Sequence, residues 1–153
     1  WVITDSQVFK PIYEKTPDGV NITSFSILFA RQKGDIDLFI KGAKVIASLT
    51  ENSHVLIAEA CSHIPQNEDI GRVKLPRLLR NHLGEGVKID IVSGNDFPSE
   101  LEKYDLIIHC GACMFSRAQM LNRVKEAKLH KTKITNYGIT IAYLNSIIDK
   151  ITW

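Results

Sequence analysis

Short runs of β-branched and aliphatic residues at 54–60, 87–92, 104–108 and 133–135 recur along this chain, with helix-like segments between them. That alternation constrains the fold more than any other feature. Strand-like runs separated by helical patterns of about 10–15 residues pair in parallel, because each helix carries the chain back to the edge where it started. The expectation is an α/β fold of Rossmann or flavodoxin type: a parallel sheet flanked by helices, with a shorter, partial α/β segment ahead of it.

Residue spacing places the helices. Ile36, Phe39, Ile40, Ala43, Ile46 and Ala47 recur at three and four, which predicts an amphipathic helix over 34–49. Residues 64–75 read as a polar, irregular connection. Pro76 suits a first helical position and Gly84 a stop, giving a helix over 76–82. Ser116 and Gln119 form a capping-box pair for a helix over 117–129, with Met120, Val124 and Ala127 on its buried side. A final helix is expected over 138–151. Near the start, 1–4 reads as a strand and Asp5-Ser6 as the cap of a short turn that Pro11 interrupts. Residues 20–26 lean to strand, and 25–30 fit strand or helix equally. A division near residue 50, into 1–50 and 51–153, follows from the metal-like residues, which all lie beyond it.

Those residues are Cys61-Ser62-His63 and His109-Cys110-Gly111-Ala112-Cys113, which hold all three cysteines of the chain. Each piece follows a strand-like run. In an open parallel sheet, the residues beyond the carboxyl ends of strands converge on one edge, where ligands bind. The C-x-x-C spacing suits two thiolates on one metal or cluster, and Gly111 allows close backbone approach. On an extended strand Glu59, Cys61 and His63 share a face, while His109 and Cys110 point oppositely. His109 is therefore expected beside the site, as a supporting residue, more than as a ligand next to Cys110. A thiol redox pair at 110 and 113 is the competing chemistry, but it leaves Cys61 and His63 without a role. Zinc held by three cysteines and a histidine, in a structural or interaction domain, and an iron–sulfur cluster with one exchangeable iron both remain open on this donor set.

The rest narrows the partners. With 19 Lys and Arg against 17 Asp and Glu, the chain gives no reason to expect nucleic acid or an anionic membrane. No apolar run reaches the ~18 residues of a spanning helix, and no signal-peptide pattern opens the chain. An odd number of cysteines, two of them in C-x-x-C, fits a reducing cytoplasm and not a disulfide framework. The chain opens at Trp1 without an initiator methionine, as a piece of a longer protein does. Neither G-x-x-x-x-G-K-[ST] nor a G-x-G-x-x-G after a strand occurs, so nucleotide binding has no support. Arg72, Lys74, Arg77 and Arg80 form a basic strip, read as a solvated helix face ahead of an anionic docking surface. Asn136-Tyr137-Gly138 reaches the same sheet edge and is read as a cap for the next helix. His54, His82 and His130 show no partner pattern.

Several of these pieces together resemble one family. Ile3-Thr4-Asp5-Ser6-Gln7, residues 23–31, Glu59-Ala60-Cys61-Ser62-His63, Asp69-Ile70-Gly71, Pro76-Arg77, His109-Cys110-Gly111-Ala112-Cys113 and residues 134–139 resemble HydF, the FeFe-hydrogenase maturation GTPases. The Cys-x-His and His-Cys-x-x-Cys pairing at this separation is the most specific part. The resemblance implies that 1–50 is the end of a dimerisation domain and 51–153 an iron–sulfur domain, and it decides for iron over zinc. It implies a 4Fe–4S cluster on Cys61, Cys110 and Cys113, with Glu59, His63 and His109 as candidates for the labile fourth ligand or its surroundings. It further implies a homodimeric, non-enzymatic scaffold. That scaffold takes a transient di-iron precursor from radical-SAM maturases and passes it to FeFe-hydrogenase. The family's GTP hydrolysis belongs to a domain that these residues do not include.

Overall fold

A computed structural model describes residues 1–60 and 69–152. The chain opens with a two-stranded parallel sheet of β1 (Val2–Thr4) and β2 (Ile22–Ser24), with α1 (Phe9–Lys15) between them. Pro11 does not interrupt the helical segment, contrary to expectation. It lies in the first turn of α1, where the amide groups have no intrahelical partner to lose. The ambiguous stretch at 25–30 is helical, within α2 (Phe25–Lys33). The helix expected over 34–49 divides into α3 (Ile36–Lys44) and a tighter turn at Val45–Ser48. Its start is set by Asp35, whose Oδ1 accepts the N–H of Leu38 at 3.0 Å.

The main sheet is parallel throughout, in the order β4 (Lys88–Ser93), β3 (His54–Glu59), β5 (Leu106–His109), β6 (Lys133–Asn136). In chain order its first strand lies between the second and the third. This is the doubly wound, flavodoxin-like order, with its switch point between β3 and β5. The connections carry α4 (Leu75–Leu83), α5 (Arg117–Leu129) and, after β6, α6 (Tyr137–Leu144). Gly84 stops α4 with φ +115°, a backbone angle that suits glycine. Ser116 and Gln119 form the expected capping box of α5. The last helix ends earlier than the sequence suggests: Ser146 turns left-handed at φ +58°, and a short tight turn at Ile148–Lys150 follows. Of the irregular connection expected at 64–75, residues 64–68 lie outside the described part. Ile70–Lys74 is a wide π turn running into α4, and the Asp69 carbonyl accepts from both Val73 and Lys74.

Strand alternation sorts the core into two faces. Val55, Ile57, Leu106 and Ile108 face Leu75 and Leu79 of α4 and Ile141 of α6. Leu56, Ala58, Ile107 and Ile134 face Phe39, Met120, Val124 and Ala127, from α3 and α5. Because both faces are covered, the strands read as nearly continuous apolar runs. Among the described residues no helix is long and apolar enough to cross a membrane. The edge strand β6 is closed by α3, which presses so near that a Cβ on Gly42 would sit 2.1 Å from the Ile134 carbonyl oxygen. Gly42→Ala should therefore destabilise the chain by at least about 1–3 kcal/mol in urea denaturation, as over-packing against backbone does.

Candidate metal centre

Register fixes what stands at the carboxyl edge of the sheet. Glu59 pairs with Ser93, Ala58 with His109, and His109 with Asn136. One step further along, Ser93, Glu59, Cys110 and Tyr137 form a row across all four strands. Alternation turns Glu59, Cys110 and Tyr137 toward the α4 face. Cys110 is buried, and its Sγ accepts the backbone N–H of Ala60 at 3.1 Å. Ala60 immediately precedes Cys61, which lies outside the described residues, as does His63. Cys113 is exposed. Among the described residues no group of three or more His, Cys, Asp or Glu side chains is gathered.

The Cys110–Cys113 loop is held from several sides. Ala112 is left-handed, with φ +54°, a conformation that costs a non-glycine residue roughly 1–2 kcal/mol. Lys33, the last residue of α2, donates from Nζ to the carbonyls of Ala112 (3.2 Å) and Cys113 (3.1 Å) and so offsets that cost. Gly111 lies over Ser26 of the same helix, and Asn136 Nδ2 donates to the Ser26 carbonyl at 2.9 Å. Asn136 also caps α6, accepting the N–H of Ile139 at 3.0 Å, as its position after a strand suggested. Nothing in the sequence pointed to Lys33.

Glu59 is anchored by one oxygen. Its Oε2 accepts from Arg72 and from Ser93 Oγ, each at 3.1 Å, while Oε1 faces Gly71 in the π turn. The Tyr137 hydroxyl faces the same spot: a Cβ on Gly71 would lie 2.2 Å from it and 2.8 Å from Glu59 Oε1. That hydroxyl is buried and has no hydrogen-bond partner among the described residues. Burial, then the nearby Cys110 and Glu59, pushes its pKa up, so it keeps its proton. The basic strip is thus split by role. Arg72 turns into the site, Lys74 Nζ reaches the Gln7 carbonyl at 3.0 Å, and Arg77 and Arg80 line a shallow cleft.

His109 lies on the opposite face, fully buried. Arg123 can only donate, so its 2.9 Å contact makes His109 Nε2 an acceptor, and the proton sits on Nδ1, which donates to the Cys110 carbonyl at 2.8 Å. Both ring nitrogens are occupied in supporting Cys110. Arg123 is clamped between the rings of Phe97 and Phe115 and donates to the Gly94 carbonyl as well. Two further histidines have partners that the sequence did not disclose: His54 lies 2.9 Å from Asp90, and His130 lies 2.7 Å from Glu102.

Burial, with a smaller push from Arg123, lowers the His109 pKa from 6.5 to about 4. The unfolded chain therefore takes up a proton near pH 6.5 that the folded chain refuses until about pH 4. Stability should fall as pH drops through that window. His109→Gln should flatten the slope of the urea midpoint against pH for the metal-free chain, whatever its absolute stability.

The comparisons with known proteins bear on the whole chain. A family model for the hydrogen maturase F dimerization domain matches residues 1–34, and one for the hydrogen maturase F tetramerization domain matches residues 37–152. No curated protein matches the chain. The first model spans β1 to α2, and the second spans α3 and the whole four-stranded sheet with its cysteine loop. These matched parts are units of subunit association. The chain belongs to the HydF family of hydrogenase maturation proteins.

Proposed function

We propose that these residues form the cofactor-bearing part of a cytoplasmic scaffold for assembling the FeFe-hydrogenase active site. In this reading Cys61, Cys110 and Cys113 hold a 4Fe–4S cluster whose fourth iron is open to exchange. A di-iron precursor arrives as cargo from radical-SAM maturases and leaves to the apo-hydrogenase. The chain acts as a homo-oligomer, and no catalytic step is assigned to these residues. The observation that carries the reading is the row of Glu59, Cys110 and Tyr137 at the switch point, directly beside the residue that precedes Cys61.

The residues fit such a cofactor. Cys110 Sγ accepts an amide N–H, the kind of bond that tunes cluster-ligating sulfur. Gly71 lets the Tyr137 hydroxyl and the Glu59 carboxylate pack closely against its backbone, where any side chain would collide with them. When bound, the cluster supplies a thiolate-poor iron at which an incoming group can replace a weaker ligand. The residues of the chain do the positioning. His109 and Arg123 brace the Cys110 carbonyl, Lys33 holds the exposed turn that leads to Cys113, and Arg72 with Ser93 aims the Glu59 carboxylate. With both His109 nitrogens occupied, Glu59 is the described candidate for the exchangeable position, and His63 is the other.

Anaerobic reconstitution followed by iron and sulfide analysis tests this. About four irons and four sulfides per chain are expected, and serine at 61, 110 or 113 should abolish most of that. A colourless chain carrying zinc, or thiol–disulfide activity that survives Cys61→Ser, would refute the reading. Glu59→Gln or His63→Ala, if either side chain is the labile ligand, should change the reduced cluster's EPR signal while leaving the iron count intact.

A further inference from the structure

The shallow cleft along α4 has no task in the arrangement described so far. It encloses about 370 Å³ against the π turn and the helix. Arg72, Pro76 and Arg80 make one row of its wall and Val73 and Arg77 the row beside it, with Glu85 beyond the helix end. Positions four apart stack on one helix face, so three guanidinium groups border one space. The lining therefore carries three positive charges and one negative. That surplus equals the formal net charge of the whole chain, +2, so the rest of the chain is neutral in sum. The Arg80 side chain is half-buried and makes no hydrogen bond or ion pair among the described residues. Arg72 uses a single nitrogen, Nη2, for Glu59 and Ser93 and has donors to spare. Val73, 47% exposed, adds an apolar side chain to the same wall.

We propose that this cleft docks an acidic segment of a protein partner, one in which carboxylates flank an apolar side chain. A guanidinium pairs with a carboxylate through two parallel hydrogen bonds, and a half-buried arginine without a counter-charge gains most from such a pair. Val73 and Pro76 give the apolar side chain a surface to cover. A nucleic-acid backbone fits less well. It needs cations along a run of phosphates, whereas the charge outside this cleft sums to zero. Because Arg72 also holds Glu59, a partner seated here lies beside the carboxyl edge of the sheet. No metal takes part, so the docking is independent of the cluster reading.

The test is fluorescence anisotropy of the full chain at low salt with three labelled probes. They are the peptide Glu-Asp-Leu-Glu-Glu, the same peptide with serine for leucine, and a short single-stranded DNA. The leucine peptide should bind, and more weakly as salt rises. Arg80→Glu should weaken it about five- to tenfold, by removing one ion pair and adding a repulsion. Lys125→Glu makes the same charge change at an exposed position of α5, on the other side of the sheet, and should leave binding unchanged. Val73→Ser keeps every charge, and should weaken the leucine peptide while leaving the serine peptide as it was. No binding of either peptide would overturn the proposal, as would equal weakening by Arg80→Glu and Lys125→Glu, which would assign the effect to overall charge. Tighter, Arg80-dependent binding of the DNA would overturn it in favour of phosphate. Self-association of the wild-type chain that Arg80→Glu abolishes would overturn it by giving the cleft to a second copy.

Discussion

Parallel register is the constraint on which the rest of this structure depends. Four strands hydrogen-bonded in step bring residues from distant parts of the sequence to the same height. The central pair, β3 and β5, is buried on both faces, so neither strand can slip by one residue without turning Val55, Ile57, Leu106 and Ile108 out of their core. A slip would also turn Cys110 to the far face and His109 to the near one. The cysteine's place at the edge is therefore guaranteed by hydrophobic packing several residues away.

The edge itself is a place of local compromise. Ala112 is left-handed without being glycine, Ile70–Lys74 winds too wide for an α-helix, and Tyr137 buries a hydroxyl that has no partner among the described residues. Each feature costs stability, and all lie at the carboxyl ends of the strands or in the segment that follows them. The two core faces between the sheet and its helices are packed with aliphatic side chains, and the buried His109 and Arg123 satisfy one another and their neighbours' carbonyls. Strain of this kind persists only where a rigid frame over-determines it. Here that frame is the sheet and the helices packed on its two faces.

Much of this was legible in the residues. The alternation of strand and helix patterns disclosed a parallel sheet, the capping box of Ser116 and Gln119 marked a helix start, and parity separated His109 from Cys110. The effect of Pro11 depends on its place in the helix, which spacing alone does not reveal. The end of the final helix is hidden in the sequence because Ser146 carries no sign that it will turn left-handed. The sequence shows Tyr137 only as part of a cap, since its alignment with Cys110 depends on register between strands. Lys33 and Arg123 were missed for a related reason. Their partners are backbone carbonyls and a histidine ring far off in sequence, and no local pattern encodes such a meeting.

The two parts matched by separate family models are physically joined where it matters most. Lys33 closes the first part and grips Ala112 and Cys113 in the second, while Ser26 lies beneath Gly111. A cut after residue 34 that released the first part would strip two carbonyls of their cation and uncover the underside of the turn. A displacement of α2 is therefore passed directly to the loop that carries Cys110 and Cys113.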